Sequence, residues 1–258
     1  MLIHPILESL RTLRLSGMAK ALHEQLQQPD REQLSFEDRL GLMVEREQLD
    51  RHNRQLQARL KKSQLKQQAC LEDVDYKTPR GLDKSLLASL ASCQWVHSHH
   101  NILVVGPTGT GKTFLACALA HKACLEGYSS YYARINRLLP ELTIAKGDGR
   151  YTKKMSELAK VDALILDDFG LCALNEEQRR DLLELLDDRH EKRSCIVTSQ
   201  LPIKFWHEAI GDGTLADAIL DRLVHSAYRI ELKGESMRKK RATLVKGGES
   251  ESIEKSVA

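Results

Sequence analysis

The sequence predicts an α/β fold, in which a parallel β-sheet carries helices on both faces and a small all-helical region precedes it. Beyond Asn101, short apolar runs alternate with amphipathic patterns several turns long, which is typical of strands joined by crossover helices. A glycine-rich loop directly follows the first apolar run. Before residue 68, by contrast, apolar residues recur at helical spacing. These three features together indicate a helical region followed by a sheet domain.

Residues 1–68 form the predicted helical region. Apolar residues repeat every three or four positions over Leu15–Leu26, and Pro29 then interrupts the pattern, so one amphipathic helix is expected to stop there. A second, longer helical pattern begins after Ser35 and continues to Leu60 among polar residues. We therefore expect these helices to make a small domain of their own.

A linker near residues 68–80 leads into the sheet domain, which we assign to residues 69–246. Leu82–Leu90 is a further predicted helix. The predicted strands are Ile102–Val105, Ser130–Ile135, Ala163–Asp167, Cys195–Ser199 and Tyr228–Leu232. The predicted helices between them are Lys112–Glu126, Arg137–Ala145, Asn175–His190 and Leu215–Leu223. The polar residues 247–258 are expected to be a disordered tail.

The composition excludes several classes of protein. Of the 258 residues, 41% are hydrophobic and 29% are charged, which is the balance of a globular chain. No apolar run approaches the roughly 20 residues that cross a bilayer, and the N-terminal residues show no signal-peptide cleavage site. The six cysteines include no C-x-x-C pair, so neither a zinc ribbon nor thioredoxin-like chemistry is predicted. We expect a cytoplasmic protein with no membrane partner.

The loop after the first strand reads GPTGTGKT and matches the phosphate-binding pattern G-x-x-x-x-G-K-[ST]. Its glycines let backbone N–H groups turn inward around a phosphate, and the following helix adds the positive end of its dipole. Lys112 is expected to reach the β- and γ-phosphates, and the Thr113 hydroxyl to ligate Mg²⁺. A chance glycine-rich turn is disfavoured by its position between a strand and a helix. The predicted nucleotide-binding residues are Gly106, Pro107, Thr108, Gly109, Thr110, Gly111, Lys112 and Thr113.

Two carboxylates, Asp167 and Asp168, end the apolar strand that begins at Ala163. Beside the phosphate loop, Asp167 is expected to hold Mg²⁺ through water, and Asp168 to orient or deprotonate the attacking water. The alternative is a pair of acids that only solvates the turn at Phe169 and Gly170. Many ATPases with this type of phosphate loop carry Glu at the position of Asp168. Because the Asp side chain is one methylene shorter, we expect slow hydrolysis of ATP.

Groups further along the chain have the chemistry to act on a γ-phosphate. Thr198, Ser199 and Gln200 follow one another where a strand ends, and each has a side chain that can contact the γ-phosphate or the attacking water. Arg222 stands at the end of the helix predicted over Leu215–Leu223, and Arg238 follows the last strand. From such positions an arginine can neutralise charge on a transferred phosphate, in its own or a neighbouring subunit. A strand-end turn and two surface arginines fit the same spacing.

Basic residues cluster within the longer N-terminal helical pattern. Six Lys or Arg residues occur between positions 51 and 66 without an acidic residue among them, and residues 238–241 form a second basic run. Clustered charge of this kind can bind a polyanion such as duplex DNA, whereas a solvated helix face is the alternative. The predicted DNA-binding residues are Arg51, Arg54, Arg59, Lys61 and Lys62.

Five motifs in this order closely resemble those of the IstB-like transposition helper ATPases, which are AAA+ ATPases related to the DnaC-type helicase loaders. The motifs are Gly106–Thr113, Leu164–Gly170, Thr198–Pro202, Asp221–Leu223 and Gly234–Arg238. The resemblance spans nearly the whole chain. It implies a P-loop NTPase with a five-stranded parallel sheet in the order 5-1-4-3-2, together with ATP and Mg²⁺ as cofactors.

The resemblance also implies roles for single residues. It makes Arg222 an arginine finger that acts on the ATP of a neighbouring subunit, and Arg238 a sensor arginine of its own subunit. The Thr198–Gln200 edge becomes the first sensor, with Gln200 standing where members of the family commonly carry Asn. The N-terminal helices resemble the region through which the family contacts DNA and partner proteins.

These implications predict an ATP-dependent transposition helper. ATP would join subunits into a ring or spiral on duplex DNA, the assembly would remodel the DNA and recruit its cognate transposase, and hydrolysis would release it. On DNA the protein would associate with the nucleoid. A replicative helicase loader of the DnaC type is the alternative with the same chemistry. Two other classes, a small-molecule P-loop kinase and a module that uses ATP only structurally, also contain such a loop.

Two metal chemistries are weaker interpretations of the sequence. His97, His99 and His100 lie close together before the first strand, but no carboxylate or thiol stands at ligand spacing beside them. Asp162, Asp167 and Asp168 have the carboxylates that a two-metal nuclease uses, yet all three lie on or directly beside one predicted strand. Neither a histidine metal site nor a nuclease is therefore favoured.

Overall fold

The computed structural model describes residues 3–27 and 34–237. These residues form two compact units, the first ending at Lys61 and the second beginning at Lys62. The division falls before the boundary predicted at residue 68, because Leu65 and Ala69 pack with the core of the second unit. The predicted tail at residues 247–258 lies outside the described residues.

The first unit is helical. Its helices are α1 (Ile3–Thr12), α2 (Ser16–Gln27) and α3 (Phe36–Ser63), the last of which continues two residues into the second unit. The Glu47 carboxylate of α3 accepts hydrogen bonds from the Gly17 N–H at 2.7 Å and the Met18 N–H at 3.3 Å, and so caps the start of α2. A Cβ on Gly17 would lie 2.6 Å from the Glu47 Cα, so α2 can approach α3 this closely only with glycine there.

The second unit is a parallel sheet with helices. Its strands are β1 (Asn101–Val105), β2 (Ser130–Arg134), β3 (Ala163–Phe169), β4 (Ser194–Ser199) and β5 (Ala227–Glu231). Its helices are α4 (Lys84–Ala91), α5 (Gln94–His97), α6 (Lys112–Leu125), α7 (Ile135–Gly147), α8 (Tyr151–Lys160), α9 (Glu176–Arg189), α10 (Trp206–Ile210) and α11 (Gly213–Val224). The strand order β2-β3-β4-β1-β5 confirms the predicted order, counted from the other edge.

Both faces of the sheet are covered, and this is why its central strands are apolar throughout. Alternate residues of β1 enter two different cores: Leu103 and Val105 pack with α7, α9 and α11, whereas Ile102 and Val104 pack with α4 and α6. All five residues of β1 are buried. The sheet therefore holds its carboxyl edge, where the phosphate loop begins, as a rigid platform.

The short helices α5, α8 and α10 were not predicted from the sequence. α8 carries only two buried residues, Met155 and Leu158, among polar neighbours, and its C-terminal carbonyl groups are held by the buried Arg189 of α9. Arg189 donates to the Leu158 carbonyl at 2.6 Å and the Val161 carbonyl at 2.8 Å. α10 is a single turn built around the buried Trp206. α8 and α10 depend on contacts with distant residues, which the local pattern does not contain.

Candidate nucleotide-binding site

The predicted nucleotide-binding residues lie together at one edge of the sheet. Because the five strands are parallel, the carboxyl ends of β1, β3 and β4 stand side by side, and ligands of open α/β sheets bind at this edge. A cavity of about 340 Å³ opens there. The predicted residues that line it are Thr108, Gly109, Gly111, Lys112, Thr113, Asp168 and Gln200.

The phosphate loop requires its glycines for steric reasons. Gly106 has a φ of +151°, and a Cβ there would lie 2.3 Å from the Leu232 carbonyl oxygen. Gly111 has a φ of +98°, and a Cβ would lie 2.6 Å from a guanidinium nitrogen of Arg80. Lys112 folds into the loop, where its Nζ donates to the carbonyl oxygens of Gly106 at 2.7 Å and of Pro107 at 2.8 Å. The loop is therefore already closed around the position of a phosphate.

Asp167 is completely buried at the end of β3 and is held by hydroxyl groups. Its Oδ1 accepts from Thr113 at 2.9 Å and from Thr198 at 2.5 Å, and its Oδ2 accepts from Tyr132 at 2.5 Å. Burial, and then the bond to Asp167, raise the pKa of Tyr132, so the phenol stays a donor. The Asp167 carboxylate and the Thr113 hydroxyl are adjacent hard oxygen donors, which fits Mg²⁺ as bound in nucleotide sites.

A β-bulge brings Asp168 to the lining of the cavity, whereas the buried Asp167 is not part of that lining. The pairing of β3 with β4 shifts register between Leu166 and Phe169, and Asp168 adopts a φ of +64°. Its N–H donates to the Thr198 Oγ1 at 3.2 Å. The strand therefore continues to Phe169 rather than ending at Asp167, and the bulge lets two successive carboxylates serve one site, which regular strand alternation would not allow.

Of the three polar residues at the end of β4, only Gln200 lines the cavity. Thr198 is buried and holds Asp167, while the Ser199 hydroxyl donates to the Phe169 carbonyl at 2.7 Å. The structure thus separates side chains that the sequence treats as equivalent. Gln200 is the member of this group that is placed to meet a phosphate or a water molecule.

Three cations of the cavity were not assigned to it from the sequence. Arg80 is buried, donates to the Thr110 carbonyl at 2.8 Å and to the Asp75 carbonyl at 3.0 Å, and has its pKa lowered by burial. Arg134 at the end of β2 lies 3.5 Å from the Asp168 carboxylate. Lys66 lies 3.8 Å from the Asp167 carboxylate. Arg80 and Arg134 belong to no recognisable sequence motif, and Lys66 stands out in the sequence only as part of the basic run at positions 51–66.

Arg222 lies at the amino-terminal end of β1, opposite the end at which the phosphate loop begins. Asn101, the first residue of β1, donates its side-chain amide to the Arg222 carbonyl at 2.9 Å, whereas the phosphate loop follows the last residue of β1. The Arg222 side chain forms an ion pair with Asp187 and lines a separate cavity with His99 and His190. The length of β1, about 16 Å at the rise of a strand, separates it from the loop.

The other predicted sensor, Arg238, lies outside the described residues. The last described residue, Met237, donates its N–H to the Gly109 carbonyl at 3.0 Å. The basic run at residues 238–241 lies outside the described residues as well. The role of Arg238 therefore stays a prediction.

The predicted DNA-binding residues all lie in the second half of α3. Arg51 and Arg54 form ion pairs with Glu47, at 2.7 Å and 3.3 Å. The stretch without acidic residues spans positions 51–66, and Glu47 lies one helical turn before it. Lys61 and Lys62 are exposed. Part of the basic character of the helix is thus balanced within α3 itself.

The described residues give no support to the weaker metal chemistries. No group of three or more His, Cys, Asp or Glu side chains suited to a metal ion occurs within residues 3–27 and 34–237. Asp162 stands just before β3, at the opposite end of that strand from Asp167, where its carboxylate accepts from the Ser129 N–H at 2.8 Å. Among the same residues, no helix is both long and apolar enough to cross a bilayer.

Comparison with known proteins finds a matching family and close relatives over nearly the whole chain. A profile of the family described as IstB-like ATP binding protein matches residues 8–244. An insertion-sequence ATP-binding protein of Sinorhizobium fredii is 52% identical over 239 residues, covering 93% of this chain and 98% of that protein. The IS21 ATP-binding protein of Pseudomonas aeruginosa is 33% identical over 238 residues, covering 92% of this chain and 90% of that protein.

Two solved structures share the fold. The crystal structure of DnaI matches with a TM-score of 0.55 and 24% identity, over 64% of this chain and 91% of that chain. The crystal structure of the DnaC helicase loader matches with a TM-score of 0.53 and 22% identity, over 64% of this chain and 97% of that chain. At this level of identity the likeness establishes the AAA+ type of P-loop fold.

Proposed function

This chain belongs to the family of IstB-like ATP-binding proteins, and we propose that it is an ATP-dependent transposition helper that assembles on duplex DNA. It is an ATPase of the AAA+ type. In this proposal ATP joins subunits on DNA, the assembly remodels the DNA and recruits a cognate transposase, and hydrolysis releases the subunits. The names of its relatives as insertion-sequence proteins support the link to transposition.

The observation that carries the proposal is the separation of the phosphate loop from Arg222 by the length of the sheet. An arginine that neutralises charge on the γ-phosphate accelerates hydrolysis about a thousand-fold or more. Arg222 cannot reach the cavity of its own subunit across β1. A neighbouring subunit that presents its Arg222 to this cavity supplies the missing charge, and repetition of that contact builds a homo-oligomeric ring or spiral.

Within one subunit, we assign distinct tasks to polar side chains of the phosphate loop and of the strand ends beside it. Lys112 holds the β- and γ-phosphates, and Thr113 and Asp167 hold Mg²⁺, which supplies positive charge to the phosphate chain when bound. Asp168 accepts a hydrogen bond or a proton from the attacking water, and Gln200 orients that water or the γ-phosphate. Arg134 lies beside Asp168, with its Nε 3.5 Å from the carboxylate, and supplies positive charge at this edge of the cavity.

The DNA contact is assigned to α3. At about 100° per residue, its five predicted basic residues lie within about 160° of the helix circumference, so they form one face. Four of the five are exposed and Arg59 is half-buried. Lys and Arg side chains of this kind bind backbone phosphates without reading the base sequence. We therefore propose duplex DNA of any sequence as the ligand, and the bacterial cytoplasm, at the nucleoid, as the place of action.

The rate of ATP hydrolysis, measured together with the mass of the assembly, tests the proposal. With Mg²⁺, ATP and random-sequence duplex, we expect faster hydrolysis and a mass of several subunits. The Lys112→Ala variant should lose both effects because it loses nucleotide binding. A monomeric mass and a rate unaffected by duplex would overturn the proposal. The same rate measurement separates it from a small-molecule kinase, whose activity would not respond to DNA.

A replicative helicase loader is the second candidate, because the chain shares its fold with DnaC and DnaI. The two functions differ in the partner protein. Affinity capture with the tagged chain, ATP and duplex DNA should retain the transposase of the same insertion sequence. Retention of the replicative helicase instead, with no transposase bound, would favour the loader.

A further inference from the structure

We propose that Lys66 is an additional phosphate-contacting residue, whose charge lets the site distinguish ATP from ADP. The inference rests on the proposed function, since it assumes that the cavity binds ATP. It adds a residue that the phosphate-loop and Asp167-Asp168 motifs do not contain. It also connects the nucleotide to the segment that directly follows α3.

The backbone around Lys66 is anchored to α6, the helix that begins at the phosphate loop. Leu65 packs against both the larger core and the small cluster around Cys117 and Ala118 of α6. Ala69 is buried in that small cluster, and the backbone N–H groups of Lys66 and Gln67 face the Cys117 thiol. This packing fixes the point from which the Lys66 side chain extends.

The Lys66 side chain lines the nucleotide cavity together with Lys112 and Thr113. Its Nζ lies 3.8 Å from the Oδ2 of Asp167, and the side chain is 34% exposed while Asp167 is not exposed at all. The hydroxyls bound to Asp167 are neutral, so its charge is balanced by Lys66 and by Arg134, whose Nε lies 3.9 Å away. Burying a carboxylate costs free energy unless opposite charges of this kind lie near it.

Nucleotide binding changes what Lys66 can contact. Thr113 and Asp167 are the residues that would hold Mg²⁺, and the ion would supply this carboxylate with positive charge in addition to that of the lysine. An ammonium group on a flexible stem can then turn from the carboxylate to phosphate oxygens in the same cavity. ATP carries one phosphate more than ADP at the end nearest these acids, so the contact favours ATP.

The short segment between Lys66 and α3 connects this contact to the helix that carries the basic residues. Only Gln64 and Leu65 separate Lys66 from Ser63, the last residue of α3. Gln64 has a φ of +49°, a left-handed conformation that ends the helix. A lysine that moves toward the third phosphate therefore acts directly on the segment that anchors the helix with the basic residues.

The test compares the affinity of the Lys66→Gln variant for two nucleotides. Titration calorimetry with Mg²⁺ and either ADP or the methylene-bridged analogue of ATP avoids hydrolysis. We expect the analogue to bind about tenfold more weakly to the variant and ADP to change by less than about twofold, because one charge-assisted contact is lost. Lys66→Arg should keep most of the preference. Lys160→Gln, at an exposed lysine before β3, is the control and should match the wild type.

Each result decides the inference. An unchanged preference for the ATP analogue in Lys66→Gln would overturn it. Equal weakening of both nucleotides would also overturn it, since Lys66 would then only support the wall of the cavity. Failure of the wild type to bind either nucleotide would overturn the proposed function itself. Lys112→Ala should lose both nucleotides, which distinguishes anchoring of the phosphates from discrimination between them.

Discussion

The nucleotide cavity and the basic face of α3, formed by Arg51, Arg54, Arg59, Lys61 and Lys62, are both assigned to negatively charged ligands but are built in opposite ways. In the cavity, the polar groups have fixed partners: Asp167 is fully buried with three hydroxyl donors, and Lys112 is 7% exposed. On α3, by contrast, Arg51 and Arg54 are more than half exposed and share Glu47. The difference teaches that each buried group contributes through one fixed arrangement of partners. Exposed charges instead contribute to binding as a sum of many weak contacts.

Arg222 tests this rule most severely, because it is a partly exposed cation that we expect to be indispensable. Arg222→Ala should lower the DNA-stimulated rate of ATP hydrolysis about a thousand-fold, since the charge on the neighbour's γ-phosphate is no longer neutralised. Mixing it with Lys112→Ala protein should restore part of the rate, because some interfaces then combine an intact loop with an intact Arg222. Steady-state ATPase assays measure both effects.

The matched control for Arg222 is Arg180→Ala, which removes an exposed arginine whose ion pair with Glu176 lies within its own helix. Its rate should stay within about twofold of the wild type. If mixed oligomers form but no activity returns, Arg222 does not act across an interface. In that case the opposite edge of the sheet would have no part in hydrolysis.

Asp168 separates binding from chemistry within the cavity. Asp168→Asn should lower kcat about a hundred-fold or more, because the amide cannot accept the proton of the attacking water. Nucleotide affinity should change by less than about twofold, since Asp167 and Thr113 remain in place. Single-turnover kinetics and nucleotide titration together measure the two quantities.

Asp188→Asn is the control for Asp168, since Asp188 is an exposed acid of α9 outside the cavity. It should leave kcat and affinity unchanged. Equal loss of binding and turnover in Asp168→Asn would instead assign Asp168 to the metal side or to the structure of the bulge.

The basic face of α3 should show a smaller, graded effect. Each phosphate contact contributes about −0.9 to the slope of log K against log salt on duplex DNA. Replacing Lys61 and Lys62 by Gln should therefore flatten the slope by about two units per subunit. Replacing Arg51 and Arg54 by Gln should flatten it less, because Glu47 already balances part of their charge. Titration of labelled random-sequence duplex at several salt concentrations, with ATP and with ADP, measures both slopes.

A solvated helix face makes a different forecast for the same experiment. Neither pair of substitutions would then change the slope or the affinity, and α3 would be removed from the DNA interface. A large loss of DNA affinity when only Arg51 and Arg54 are replaced would show that Glu47 releases these two arginines when DNA binds. Binding should be much stronger with ATP than with ADP, because the assembly sums many weak contacts along one duplex.

The smallest expected effect concerns Glu47, a buried carboxylate of the N-terminal unit that caps a helix. Burial raises its pKa, but the bonds from Arg51 and from the Gly17 and Met18 amides outweigh this, so the pKa lies below its ordinary value of 4.5. Its stabilisation is therefore complete above pH 4.5 and is lost as the pH falls through the folded-state pKa. Amide exchange of Gly17 and Met18 should accelerate in acid.

Glu47→Gln provides the comparison for this pH effect. The variant should destabilise α2 by about 1 kcal/mol near neutral pH, because the cap loses its charge. Its difference from the wild type should shrink as the pH is lowered. A difference that stays constant down to pH 3 would show that the carboxylate charge does not contribute to the cap.

Much of the fold could be predicted from the sequence, since periodicity is a local property. The apolar runs locate all five strands within two residues of their observed ends, and the glycine-lysine loop predicts the start of α6 at Lys112. β3 is instructive, because its run predicted an end at Asp167. The observed end at Phe169 depends on the register with β4, which lies about thirty residues further along the chain.

The sequence by itself determined the order of strands and helices, the phosphate loop and the pair of acids, because each is written in neighbouring residues. Tertiary structure alone decided that Lys66, Arg80, Arg134 and Tyr132 meet those acids and that loop, and that Arg222 stands at the far edge. It also decided that Gln200, rather than Thr198, lines the cavity. The physical reason is that parallel pairing aligns strand ends that are distant in the chain, and no local pattern records which side chains then become neighbours.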